Sequence, residues 1–313
     1  MKACSDRGVG KSSIKIALSR LGLSDALSKA NSFNEQGEME RDGCLCTRDE
    51  SRQARYRTQD AHDWRTEMSA DGQQWIFAAV ADGAGSAERS DEGATEAVRK
   101  ALEAITQDMS HEAFDNTERN SERGLQALLT FGMEEAMSAV KKLAESEEAQ
   151  LSDFSSTLLL LVAGPSQAAA AQVGDGAVVC KTVEGEYNLM TVPQNGEYHN
   201  QTTFTTSDGA QSAIEISCVS NTPGQFALFT DGIEQVALDI SKMKPHAPFF
   251  EPFFQFATQD EIAGKARTER LKTFLQSPRL KGHTDDDLTL LLASRSEKPT
   301  SDVADNKKIA GGA

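Results

Sequence analysis

Hydrophobic positions follow two rhythms along the middle of this chain. Residues 75–81 (WIFAAVA) are a short unbroken apolar run, which predicts a buried strand running directly into Asp82-Gly83. Ala94, Ala97, Val98, Ala101, Leu102 and Ile105 then recur at three and four, the spacing of an amphipathic helix. Leu125, Leu128, Leu129, Met133, Met137 and Val140 mark a second helix. Strands are predicted at 156–162 and 168–173, the latter running into Gly174-Asp175-Gly176. A hairpin-rich region spans roughly 180–222, and a strand over 225–230 ends at Asp231-Gly232. Phe249, Phe250, Phe253 and Phe254 read as a helix packed on the core. Thr258-x-x-Glu261 is a capping-box signature opening a helix with Ile262, Ala266 and Leu271. A last strand at 288–293 is led by Asp285-Asp286-Asp287. Strands, two helices, strands, helix and strand is not the regular βα alternation of a parallel sheet. The order predicts an α+β layered domain with antiparallel sheets.

The two ends read differently. Residues 1–48 carry a mildly amphipathic stretch (Ile14, Leu18, Leu21) and then a polar run over 31–41, so they are expected to be a weakly ordered extension. Residues 296–313 have no hydrophobic period and are expected to be a disordered tail. That leaves 49–295 as the folded domain, and 38% hydrophobic with 26% charged residues over 313 positions can supply its core. Gly8-Val9-Gly10-Lys11-Ser12 is not a phosphate loop, since Ser5 stands where the first glycine belongs and no buried strand precedes it.

Charge and cysteines narrow the function classes. A net charge of −16 disfavours nucleic acid and anionic membrane as partners, because both require concentrated Lys and Arg. No apolar run approaches the ~18 residues of a membrane span, and no secretory signal is read at the N-terminus, so the expected location is the cytoplasm. Cys4, Cys44, Cys46, Cys180 and Cys218 are scattered and odd in number, which suits free thiols.

The candidate chemistry lies in the aspartates. Asp-Gly is an ordinary turn signal, and Asp42-Gly43, Asp71-Gly72 and Asp208-Gly209 are read as turns. Asp82, Asp175 and Asp231 differ because each closes a strand of buried character. Asp286 mirrors them at the start of the last strand, and Asp60 sits in Thr58-Gln59-Asp60-Ala61. Two carboxylates ~4 Å apart repel by about 4 kcal/mol at an effective dielectric of ~20, so convergent carboxylates call for cations. An oxygen-only donor set suits magnesium or manganese. Glycine after the aspartate allows close backbone approach and offers the Gly83 carbonyl as a further oxygen.

Ala81-Asp82-Gly83-Ala84-Gly85, Ser155-Ser156-Thr157, Val173-Gly174-Asp175-Gly176, Phe229-Thr230-Asp231-Gly232 and Asp286-Asp287-Leu288-Thr289 follow one another as the motifs of the metal-dependent type 2C serine/threonine phosphatases do. The resemblance covers about residues 50–294 and places the chain with the bacterial branch. It implies a four-layer α/β/β/α sandwich with two antiparallel sheets and a metal cleft between the sheet edges. It implies two Mn or Mg ions held by Asp60, Asp82, the Gly83 carbonyl, Asp231 and Asp286, and a third, weaker ion at Asp175. It also implies a substrate-phosphate clamp at Arg55, with Arg52 and Arg57 close by. The implied activity is hydrolysis of phosphoserine and phosphothreonine in proteins by a water bridging the two ions, Arg55, Asp60 and Asp82 being the catalytic set. The implied partner is a phosphoprotein modified by a cognate serine/threonine kinase. The segments 196–204 and 245–250 resemble a branch whose members act beside a kinase and a von Willebrand type A protein.

Departures from the pattern matter. Ala84 stands where some relatives carry a histidine that protonates the leaving group, and water is favoured here over His62 as the donor. Gln59 replaces a common acidic residue, and Ser86 the second of two glycines. The alternatives left open are a binding module that keeps the fold without turnover, and a two-metal phosphohydrolase of small molecules.

Overall fold

In β3 (Gln74–Ala81), Trp75, Phe77, Ala79 and Ala81 face one way and Ile76, Ala78 and Val80 the other, and both sets are buried. Such a strand reads as a continuous apolar run because neither face meets water. β4 (Leu158–Ala163) and β5 (Gln167–Val173) divide in the same way. The computed structural model describes residues 13–21, 58–69, 73–110, 121–194, 202–220, 224–258, 264–275 and 286–296.

Two five-stranded sheets follow from this two-sided burial. With β2 (Ala61–Met68) and β8 (Glu215–Ser220), the first sheet has the order β2-β3-β4-β5-β8. The second has the order β1-β12-β9-β6-β7, formed by β1 (Ser13–Leu21), β12 (Leu288–Ser296), β9 (Gln225–Phe229), β6 (Ala177–Lys181) and β7 (Tyr187–Leu189). Every pairing in both sheets is antiparallel. A short ribbon joins β10 (Leu238–Asp239) to β11 (Lys244–Pro245).

Three apolar interfaces stack four layers. α1 (Ser90–Ser110) and α2 (Glu122–Ser146) pack on the first sheet, where Leu102, Ile105, Leu129 and Met133 meet Phe77, Leu160 and Val162. Ser121 caps α2 by accepting the Gly124 N–H. Between the sheets, Ile76, Val80, Leu159 and Leu161 face Val178, Phe226, Leu228 and Leu291. On the outer face of the second sheet, α4 (Ala247–Thr258) and α5 (Gly264–Leu275) bring Phe250, Phe254 and Leu271 against Phe229, Leu290 and Leu292. The phenylalanine cluster thus packs as a core helix, with Tyr187 stacked 5.9 Å from Phe254. This is an α/β/β/α stack of mixed helices and antiparallel sheets.

Some boundaries differ from the sequence pattern. Ser13–Leu21, within the segment expected to be a loose extension, pairs with β12 along its whole length, from Ser13↔Ser296 to Leu21↔Leu288. The spacing of Ile14, Leu18 and Leu21 is helix-like, but pairing along an open sheet edge overrides so short a local preference. β12 also runs to Ser296, past the predicted 293. The strand that ends before Asp231 turns at once into α3 (Asp231–Ala237), a short helix with no advance signal. Glu261 of the predicted capping box lies outside the described residues.

Candidate active site

Antiparallel pairing gathers the aspartates at one edge. Ala61 pairs with Ala81, so Asp60 just before β2 stands beside Asp82 just after β3. Leu158 pairs with Val173, which brings Gly174-Asp175 to the same end of the first sheet as Ser155-Ser156-Thr157. In the second sheet Leu290 pairs with Phe229, so Asp231 after β9 and Asp286 before β12 share an end. Asp60 joins the two ends. Its Oδ2 accepts hydrogen bonds from Thr289 Oγ1 at 2.5 Å and Thr230 Oγ1 at 3.2 Å.

The loops that carry these carboxylates are held by backbone. The Asp82 N–H donates to Thr157 Oγ1 (2.9 Å), the Thr157 N–H to the Asp82 carbonyl (2.8 Å), and the Ala84 N–H to the Ser155 carbonyl (2.9 Å). This is the task of the Ser-Ser-Thr triplet. Gly83 is required by space: a Cβ there would meet the Gln59 carbonyl oxygen at 2.7 Å and Ser90 Cβ at 2.9 Å. At Gly232 a Cβ would lie 2.3 Å from the Asp287 carbonyl oxygen. Gly174, at φ +112°, needs glycine for its backbone as well.

Burial and mutual repulsion perturb the carboxylates. Desolvation raises Asp82 well above the usual carboxylate range, and the neighbouring Asp60 and Asp231 raise it further. Asp231 is pushed up to about 6, first by burial and then by Asp175, with Asp286 adding to it. Oδ1 of Asp231 is buried with no hydrogen-bond partner. Among the described residues no three His, Cys, Asp or Glu side chains form a ready ligand cage. Asp82 nonetheless interacts directly with the side chains of Asp60 and Asp231. The residues fit hard divalent cations: every donor is oxygen, one buried oxygen has no donor to satisfy it, and each carboxylate would be relieved by positive charge.

Asp60, Asp82, Gly83, Asp175, Asp231 and Asp286 thus lie along this edge, with Asp286 exposed. Arg55, with Arg52 and Arg57, lies outside the described residues. Ala84 is buried in its loop. His62, on β2, is half-buried and pairs with Val80 of β3. Three further residues enter the site. Glu234, one turn into α3, is pushed up to about 7 by burial, then by Asp175 and Asp231. Thr202 donates its hydroxyl to Asp175 Oδ2 at 2.5 Å. Asp287 Oδ2 accepts the Gln59 N–H at 2.7 Å. Glu234 had a local signal, an acidic residue three positions after a strand-end aspartate. The other two join segments far apart in the chain.

The family model described as Protein phosphatase 2C matches residues 49–276. The chain belongs to the protein phosphatase 2C family. Among curated relatives, it is 36% identical over 245 residues to serine/threonine-protein phosphatase 3 of Escherichia coli (strain K12), covering 76% of this chain and 91% of that protein. Among solved structures, it resembles the serine/threonine phosphatase of S. agalactiae with a TM-score of 0.52 at 14% identity, covering 90% of this chain and 99% of the other, a likeness of fold. Family membership makes the chain a protein phosphatase and accounts for the order of its aspartate motifs. The family match ends before β12, and the place of Asp286 at this edge rests on the pairing of β12 with β9.

Proposed function

We propose that this phosphatase hydrolyses phosphoserine and phosphothreonine in proteins, using manganese or magnesium held by Asp60, Asp82, the Gly83 carbonyl, Asp231 and Asp286, with Asp175 serving a third ion. When bound, such cations supply a water of lowered pKa and neutralise charge developing on the phosphoryl oxygens. One observation carries this reading: Asp60, Asp82 and Asp231 converge at the common edge of two sheets and raise the Asp82 carboxyl by proximity as well as burial.

The chain's own residues divide the remaining work. Asp82 is presented by a loop bonded to Thr157 and Ser155, and Asp231 follows Thr230, whose N–H donates to the Thr289 carbonyl, so the carboxylates are positioned at little entropic cost. Arg55 is assigned to the substrate phosphate, since a guanidinium fork matches two phosphate oxygens. With Ala84 at the position of a possible acid, the leaving alkoxide takes its proton from water. The substrate is a phosphoprotein modified by a cognate kinase. A net charge of −16 argues against nucleic acid and anionic membrane as partners. Among the described residues no helix is long and apolar enough to cross a membrane, and the cytoplasm is the proposed location.

The test is hydrolysis of a phosphothreonine peptide by the full chain, with manganese and with chelator. Turnover should require the metal and be nearly abolished by Asp231→Asn. Metal-independent turnover by the purified protein would overturn the proposal.

A further inference from the structure

Two threonines of the aspartate motifs have no role in the reading above. Thr230 precedes Asp231, and Thr289 follows Asp286 by three residues. Both are 1% exposed, and Asp60 is 0% exposed. Thr289 Oγ1 donates to Asp60 Oδ2 at 2.5 Å, and Thr230 Oγ1 donates to the same oxygen at 3.2 Å. The Thr289 N–H in turn donates to Thr230 Oγ1 at 3.3 Å. Two hydroxyls therefore converge on one carboxylate oxygen, and a backbone amide holds the second of them. The donors belong to the second sheet and the acceptor to the first, so the bonds also cross between the sheets at the edge where the aspartates gather.

We infer that Thr289, assisted by Thr230, is a positioning residue that fixes the Asp60 carboxylate in one orientation, committing Oδ2 to the hydroxyls and turning Oδ1 toward the Asp82 side of the cleft for a divalent cation. This inference rests on the cation-holding role proposed for Asp60. Its physical basis is twofold. Donors to one carboxylate oxygen set the side-chain rotation that otherwise has to be frozen when an ion binds, and groups of this outer kind typically change metal affinity by about 10- to 100-fold. Removing a hydroxyl would leave a buried carboxylate oxygen short of donors. Neither threonine is assigned any contact with substrate, so the effect should fall on the metal rather than on the peptide.

The test uses the full chain stripped of metal, titrated with manganese alone by calorimetry, in wild type, Thr289→Val, Thr289→Ser and Thr230→Val. Valine keeps the shape and deletes the hydroxyl, whereas serine keeps the hydroxyl. Thr289→Val should weaken manganese binding about 10-fold or more, and Thr289→Ser should return to within about threefold of wild type. Thr230→Val, which loses the longer bond, should show a smaller loss. At saturating manganese the KM for a phosphothreonine peptide should stay within about twofold of wild type in all three. Wild-type manganese affinity in Thr289→Val would overturn the inference, as would a serine variant no better than the valine one while both melt like wild type. If Thr289→Val does not fold, Thr230→Val decides: unchanged affinity refutes the role and weakened affinity supports it. A wild-type chain that binds no manganese would instead sink the cation reading of the whole site.

Discussion

Replacing Asp231 by asparagine should have opposite effects on stability with and without metal. In the metal-free protein Asp231 is raised from the ordinary 3.8 to about 6 by burial, Asp175 and Asp286. The native state then holds this proton to a higher pH than the unfolded chain does. The associated stability is complete below pH 3.8 and is lost as pH rises through about 6. A rise of roughly two pH units, at ~1.4 kcal/mol each, is worth at most about 3 kcal/mol. Asp82 shares the same repulsion, so half of that, ~1.5 kcal/mol, is the expected effect of the single substitution. At about 2 °C per kcal/mol this is roughly 3 °C in Tm. In chelator at pH 7.5, Asp231→Asn should therefore melt about 3 °C above wild type, and the difference should shrink toward pH 5 as wild type takes up its proton. Glu234, raised to about 7, adds a slope of the same sign in both proteins. Asp239 and Glu251, lowered to about 2 by hydrogen bonds from Lys242 and Tyr187, contribute stability that is lost only at more acid pH. Millimolar manganese should reverse the order, because an ion bound only by the native state stabilises it by mass action and the asparagine binds it less well. Thermal melts of both proteins from pH 5 to 8, in chelator and in manganese, read the whole pattern. An Asp231→Asn protein less stable than wild type in chelator at pH 7.5, or a manganese shift equal in the two, would refute the reasoning.

Three other outcomes follow from the site. Arg55→Ala should lower kcat/KM on a phosphothreonine peptide while leaving manganese affinity near wild type; if Arg52→Ala or Arg57→Ala is the damaging change in that assay, the clamp has been placed in the wrong register. Gly232→Ala forces a Cβ to 2.3 Å from the Asp287 carbonyl oxygen, and the backbone shift should cost about 1–3 kcal/mol in urea unfolding as well as most of the manganese-dependent turnover; a variant as stable and active as wild type would show that the loop yields freely. His62→Ala should leave aryl-phosphate and phosphothreonine-peptide rates about equally unaffected across roughly pH 6–9, whereas a loss confined to the peptide, with one limb of the profile gone, would make His62 the proton donor.

The sequence by itself determined the features that depend on near neighbours. The apolar runs in the strands predicted at 75–81 and 156–162 are of strand length, and burial on both faces follows because alternate side chains of a strand point oppositely and successive ones here are apolar. The helical stripes of α1 and α2 are equally local. Aspartates placed where buried strands stop made Asp82, Asp175 and Asp231 candidates, since a carboxylate at the end of an apolar strand needs a reason to be there; Asp286 mirrors them at the start of the last strand, and Asp60 gained its role from the family resemblance. Tertiary structure decided what joins distant segments. Thr230 and Thr289 reach Asp60 across 170 and 229 positions, and Gln59 meets Asp287 across 228. No window of sequence carries such pairings, because they depend on which strand edges lie side by side. The place of Ser13–Leu21 on β12 is of the same kind: its local pattern is ambiguous, and an open row of backbone donors and acceptors on a neighbouring strand resolves it. Glu234 shows the same division within a single turn. Its identity is plain in the sequence, but the burial and carboxylate neighbours that push it up to about 7 exist only once two sheets and a helix end meet.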